Sequence, residues 1–161
     1  MENPNKTLFD CQQMFRHACA FSDCADFAGE KLRRGSTDIE WYSTPTIVNA
    51  AFACEVYLKA LIKYHGIPIK KKHKLKDLFE LLPDNLKEWI KVIVMNNYGG
   101  MWTDAFGREY LECISNAFEE WRYVYEYSNL QIDLGFLALF RNVLREACSQ
   151  LFFGITWDDF L

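Results

Sequence analysis

Apolar residues recur along this chain at alternating steps of three and four, the spacing that turns one face of an α-helix toward a core. Over residues 6–34 the stripe runs Cys11, Met14, Ala18, Phe21, Ala25, Ala28 and Leu32, which predicts one long amphipathic helix. Lys31, Arg33 and Arg34 sit at its end, where positive charge suits the negative pole of the helix dipole, and Gly35 with Ser36 closes it. Residues 35–44 are then expected to form a loop. Thr44 would cap a second helix with Pro45 at its first position, running without a breaker to His65. This helix is almost wholly apolar. Its polar members, Asn49, Glu55, Lys59 and Lys63, fall within roughly 120° of one another at about 100° per residue, so it reads as a central helix with one polar stripe.

Gly66, Pro68 and Lys70 to Lys72 make a basic connector into a shorter helical pattern, Leu75, Leu78, Phe79 and Leu82, which Pro83 ends. Asp84 or Asn85 then caps a pattern through Leu86, Trp89, Ile90 and Ile93. Residues 98–107, with three glycines and Tyr98, Met101, Trp102 and Phe106, read as an aromatic-bearing loop. Leu111, Ile114, Phe118, Trp121 and Tyr125 define the next long helix, and Leu137, Phe140, Leu144, Ala147 and Leu151 the last. No stretch alternates with period two for long, and no internal repeat occurs. The expected fold is all-α: an antiparallel four-helix bundle with a short helical insertion, one domain over residues 1–161.

Composition fits this. Half of the 161 residues are apolar and few are proline, so one core can form and residual low-complexity linkers are not expected. The first ten residues lack a basic stretch followed by an apolar run, and the most apolar stretch, residues 45–62, contains Glu55 and Lys59. Neither secretion nor membrane spanning is therefore expected, and the location is expected to be cytoplasmic. The six cysteines lie inside helical apolar patterns, without CxxC or HxxxH spacing, and are expected to be reduced, packed side chains rather than disulfides or metal ligands. No cofactor is expected. The net charge of −4 argues against a general nucleic-acid coat but leaves room for a local basic face.

VNAAFACEVYLKALIK over residues 48–63, HKLKDLFELLP over 73–83 and FEEWRYVYE over 118–126 come in this order on successive helices. In that combination the chain resembles the HEPN (higher eukaryotes and prokaryotes nucleotide-binding) family from about residue 6 to residue 153. The resemblance implies an antiparallel bundle that often dimerises and that acts on or binds RNA in prokaryotic defence, toxin or stress systems. Family members also dock separately encoded partner proteins such as a nucleotidyltransferase, which gives an alternative role as a non-catalytic interaction module. Catalytic members carry an Arg followed four to six residues later by His. Counted from Arg122, those positions here hold Glu126, Tyr127 and Ser128, and His17, His65 and His73 all lie upstream.

Cleavage of RNA through its own 2′-hydroxyl needs a proton acceptor, a proton donor and a cation near the phosphate. Arg122 can supply the cation and Glu126, one turn on, a carboxylate base; the same residues also make an ordinary ion-pair ladder with Glu119. Because Arg122 favours the charged form of Glu126, the two oppose one another as an acid-base pair, and weak or no metal-independent endoribonuclease activity is expected. Glu55, the third candidate catalytic residue, is a charge in an otherwise apolar helix that needs a polar seam; Arg122 is expected to face Glu55 or Asn49 across the bundle, as structural registry or as part of a functional pocket. Lys59, Lys63, Lys70, Lys71, Lys72, His73 and Lys74 concentrate positive charge in a short span suited to a phosphate backbone, while His73 can equally cap the insertion helix. Tyr98, Trp102 and Phe106 fit core anchors better than base-stacking groups. A surplus of large apolar side chains near the C-terminus, Phe136, Leu137, Leu139, Phe140, Val143, Leu144, Leu151, Phe152 and Phe153, predicts a homodimer interface.

Overall fold

The computed structural model describes residues 3–33, 39–69, 71–98, 104–123 and 132–160. It is all-helical, with no strand among the described residues: α1 (Pro4–Arg33), α2 (Ile39–Tyr64), α3 (Leu75–Glu80), α4 (Asp84–Tyr98), α5 (Asp104–Ser115), α6 (Ala117–Arg122), α7 (Leu134–Phe153) and α8 (Trp157–Phe160). On α1 the buried stripe is Cys11, Phe15, Ala18, Ser22, Ala25 and Ala28, with Met14 and Phe21 at its margin. It packs along α2 with opposite direction: Asp10 meets Lys63, Cys11 meets Ala60, Ser22 meets Tyr57 and Gly29 lies against Thr46. Gln12 reaches the Phe152 carbonyl and Arg141 the Ser22 carbonyl, so α7 also runs antiparallel to α1.

Helix α2 is the centre. Ile47, Ala50, Ala51, Ala53, Cys54, Tyr57, Leu58, Ala60, Leu61 and Ile62 are all buried, on every side of the helix. The four alanines let α1, α7, α6 and α3 approach it together, which explains why its sequence shows so little amphipathic contrast. The stretch Trp41–Tyr64 is long and apolar enough to cross a membrane by length and composition alone, and here most of it is buried against the protein's own helices.

Three boundaries differ from the sequence reading. Residues 39–44 are helical rather than part of a loop, and Pro45 lies inside α2. The carbonyl that Pro45 leaves without its usual donor belongs to Trp41, a highly exposed residue where water can serve, and the Thr46 hydroxyl donates to the Tyr42 carbonyl at 2.7 Å. Tyr98 and residues 104–107 are helical, shortening the expected aromatic loop; Trp102 lies outside the described residues, and of Phe106 only its helical backbone is described. The helix expected from Leu111 through Tyr125 is broken at Asn116 into α5 and α6. Ser115, just before the break, accepts the Lys76 backbone N–H at 3.1 Å and so caps α3 from outside, a tertiary bond that accompanies the interruption.

Helix α7 starts as its local chemistry dictates, with the Asp133 carboxylate accepting the Phe136 N–H at 2.8 Å, and ends on Gly154 in the left-handed region (φ 70°). Its apolar surplus is not left over. Phe136, Leu137, Phe140, Val143, Leu144 and Phe152 are buried within this chain, and Leu139, Leu151 and Phe153 pack against the same core. The argument that α7 needs a second chain to cover it therefore fails: α4, α5, α2 and α1 take up the face that periodicity left without a partner.

The cysteines divide as the pattern alone does not show. All six are free thiols; Cys11, Cys54 and Cys148 are buried and Cys19 is half-buried, but Cys24 and Cys113 are exposed rather than packed. Burial raises the thiols of Cys11, Cys19, Cys54 and Cys148 above their ordinary value, which suppresses the reactive thiolate. Treatment of the native protein with iodoacetamide should modify Cys24 and Cys113 alone, and the other four only after denaturation. Mass spectrometry of the intact protein checks this, and rapid labelling at Cys54 or Cys148 would contradict the packing.

Candidate functional site: the Glu55–His73 pair and the basic connector

The polar stripe of α2 is built from side chains with different fates. Asn49 turns back on its own helix, donating to the Pro45 carbonyl at 2.8 Å. Lys63 reaches Asp10 on α1 at 3.2 Å. Glu55 is buried to 3% exposure, where a carboxylate is costly without donors. Two donors converge on one of its oxygens: Oε1 accepts the Lys59 ammonium at 2.7 Å and the His73 Nδ1–H at 2.9 Å. A lysine ammonium on the same oxygen marks Oε1 as the acceptor, so Nδ1 is the nitrogen that carries the proton. Oε2 is buried with no partner.

The partner that sequence reasoning assigned to Glu55 is elsewhere. Arg122, the last residue of α6, is exposed, with its guanidinium over the rings of Phe118 at 5.0 Å and Tyr123 at 4.7 Å. Among the described residues it forms no ion pair, and neither Glu55 nor Asn49 faces it. Phe118 itself stacks on Phe52, so aromatic contacts rather than a polar seam join α6 to α2. Glu126 lies outside the described residues, and α6 ends at Arg122, so the expected pairing of Arg122 with Glu126 gains no geometry here.

His73 is placed from both sides. Behind it, Leu75, Leu78 and Phe79 are buried and dock α3 against α2 and α5, while Ser115 holds the Lys76 N–H. In front of it runs the basic connector. Of the basic residues singled out from sequence, Lys59 and Lys63 are engaged by carboxylates, as is Lys76 by Glu112. Lys71 and Lys74 are exposed and Lys72 half-buried, and these three have no ion pair among the described residues; Lys70 lies outside them. The His73 side chain is 53% exposed even though its Nδ1 touches a buried atom. Its ring therefore spans from the protein interior to the surface, beside lysines that make no ion pair among the described residues. His73 does not cap α3, whose N-cap position is Lys74 with no side-chain cap bond.

A second polar cluster joins the opposite side of α2 to α1 and α7. The Tyr57 hydroxyl lies 3.2 Å from Ser22 Oγ and donates to Cys19 Sγ at 3.4 Å, and burial pushes its phenol well above the ordinary value. Arg141 is buried beside it, donating to the Ser22 carbonyl and to Asp26 at 2.6 Å. Each of these groups is tied to helix packing, and none opens to the basic connector.

The signal that would have found the Glu55–His73 contact is modest. A buried carboxylate on α2 needs a second donor, and His73 immediately precedes a run of core leucines 18 residues further on. Periodicity places both residues but says nothing about their meeting. Among the described residues no group of three or more His, Cys, Asp or Glu side chains is arranged to hold a metal ion. Comparison with protein-family models, with curated proteins and with solved structures returned no match.

Proposed function

We propose that this chain is a HEPN-like four-helix-bundle protein that binds single-stranded RNA across its basic connector, in the setting of a prokaryotic defence, toxin or stress system. The observation that carries the reading is the charge arrangement: among the described residues Lys71, Lys72 and Lys74 make no ion pair, while Lys59, Lys63 and Lys76 are each held by a carboxylate. A phosphate backbone is the ligand that such a row takes without demanding shape. Two features support the bundle. Helix α1 runs antiparallel to both α2 and α7, and α5 with α6 supplies a third-position helix in two pieces, while α3 and α4 form the insertion. In this reading Arg122 is not half of a cleavage pair.

The test is fluorescence anisotropy of a labelled RNA oligonucleotide as a function of salt. With three lysines neutralising about three phosphates, affinity should fall roughly twenty-fold between about 50 and about 200 mM salt. The Lys71→Glu, Lys72→Glu, Lys74→Glu triple variant, whose side chains lie outside the core, should keep its helical signal and lose binding. Salt-independent binding, or binding unaffected by the triple variant, would refute the connector as the RNA surface.

A further inference from the structure

We propose that the cleft between α4 and the C-terminal half of α7 binds a small, flat, uncharged heteroaromatic molecule that carries both a hydrogen-bond donor and an acceptor. None of Glu55, Lys71, Lys72 or Lys74 lines this cleft, so it stands independently of the RNA-binding reading. It encloses about 400 Å³, within the range of about 300–1,000 Å³ usual for small-molecule sites. Leu86 of α4 with Ala147 and Leu151 of α7 gives it an apolar floor, and two rings, Trp89 of α4 and His65 just past the end of α2, complete the wall. Both rings are held in place. Trp89 packs against the core, while His65 Nδ1 lies 2.8 Å from the Leu61 carbonyl, which accepts its N–H, and the imidazole meets the Tyr64 ring edge-on at 5.2 Å.

The polar groups of the lining decide the class of ligand. No lysine, arginine, aspartate or glutamate is among them, so an ionic ligand would lose hydration without meeting a counter-charge. What the lining offers is neutral. Gln150 donates from Nε2 to Glu146 Oε1 at 2.6 Å, which leaves its own Oε1 as an acceptor. Glu146 is held in turn, its second carboxylate oxygen accepting the Trp157 backbone N–H at 2.9 Å, so the Gln150 amide is already oriented in the free protein.

Across the cleft, the Asn85 carboxamide and the Trp89 indole N–H have no hydrogen-bond partner among the described residues. The α7 side therefore offers an acceptor and the α4 side offers donors. The complement is a ring amide, whose N–H meets Gln150 Oε1 and whose carbonyl oxygen accepts from the Asn85 amide. Its apolar ring faces are matched by the aliphatic floor and by Trp89 and His65, with which an aromatic ligand makes stacked or edge-on contacts. A purely aliphatic ligand would leave the oriented amide without use, and a charged one would find no ion to pair with.

The experiment titrates 2-quinolone, a two-ring molecule with an N–H beside a carbonyl, into the full chain and follows it by heteronuclear NMR. Saturable binding with a Kd of about 1 mM or tighter is expected for a ligand of this size. The Trp89 indole N–H resonance, identified by its loss in Trp89→Phe, should shift while those of Trp41 and Trp157 stay in place. The N-methyl derivative, which lacks the donor, should bind wild type roughly tenfold more weakly. Gln150→Leu should bring the parent compound down to that level and leave the derivative unaffected, whereas Asn85→Leu should weaken both by a similar factor. Both side chains are exposed, so neither variant should alter the thermal transition. Quinoline-2-carboxylate, similar in shape but charged, should not compete. The absence of any saturable shift would overturn the inference, as would shifts centred on another tryptophan, equal binding of the parent and its N-methyl derivative, or competition by the carboxylate. A Gln150→Leu protein that keeps the preference for the parent compound would overturn it as well.

Discussion

Phe140→Asp should unfold the protein outright rather than weaken an association between copies. Phe140 is 0% exposed, stacked parallel to Phe136 at 6.0 Å and edge-on to Phe79 at 5.9 Å, at the place where α7 meets α3. Truncating a buried Phe costs about 3–5 kcal/mol before any charge is considered. A carboxylate forced into the same apolar space adds a desolvation cost of several kcal/mol unless it is neutralised or the site opens. Against a total stability of about 5–15 kcal/mol for a domain, the sum leaves little or nothing folded. Circular dichroism should show loss of the cooperative thermal transition and a large drop in helical signal at room temperature. Phe27→Asp is the control: Phe27 is 67% exposed, and its replacement should shift stability by no more than about 0.5 kcal/mol. A Phe140→Asp protein with a native helical spectrum and an altered oligomeric state would restore the interface reading of α7 and contradict the packing described above.

Mildly alkaline solution should destabilise this protein more than most of its size. The cause is the set of buried acids held neutral by their surroundings. Burial pushes the Cys54 thiol from 9.0 up to about 12, raises Cys11, Cys19 and Cys148, and raises the Tyr57 phenol. The unfolded chain releases these protons at lower pH than the folded one, so above the ordinary thiol value the folded state binds more protons and stability falls as pH rises. For Cys54 the loss begins near pH 9 and continues to about pH 12, at about 1.4 kcal/mol per pH unit. The other three thiols act in the same direction over the same onset. Below pH 8 the contribution is fully present and flat. Urea titrations at neutral pH and near pH 10 should show the midpoint fall by a large fraction. In Cys54→Ala, which removes a fully buried thiol, the slope between those pH values should be shallower even though the neutral stability is also lower. An unchanged midpoint across that range would show that the thiols are not held in the dry environment described.

The candidate site was partly legible. The basic run at residues 70–74 and the polar stripe on α2 are written in the local sequence, because charge clustering and helical spacing need nothing beyond the neighbouring residues. The Glu55–Lys59 pair is of the same kind, one helical turn apart, and the structure contains it. The contact of His73 with Glu55 was not legible, since it depends on where α3 docks. Arg122 was misassigned to Glu55 for a related reason: a buried carboxylate requires a cationic or polar donor, but the requirement does not say which of several donors the packing delivers. The discrimination among lysines followed the same route. Lys59 and Lys63 read like Lys71 and Lys74 in sequence, and only the positions of Glu55 and Asp10 separate the engaged from the unpaired.

What the sequence determined alone is the class of structure and the longest pieces of it. The steps of three and four across α1 and α7, the unbroken apolar run of α2, the Pro83 that ends the α3 segment and the Asp84 that opens α4 each act within a few residues, where helical periodicity and backbone restrictions operate. The tertiary structure decided the rest. It carried α2 back through Pro45 to Ile39 and placed the Ser115 hydroxyl on the first turn of α3 beside the break between α5 and α6. It also covered the apolar surplus of α7 from within the chain, exposed Cys24 and Cys113 while burying the other thiols, and set His73 on Glu55. Each of these depends on a group distant in sequence arriving to cover a face or satisfy a polar atom. A periodic pattern states that a face needs covering, and only the packed helices state by what.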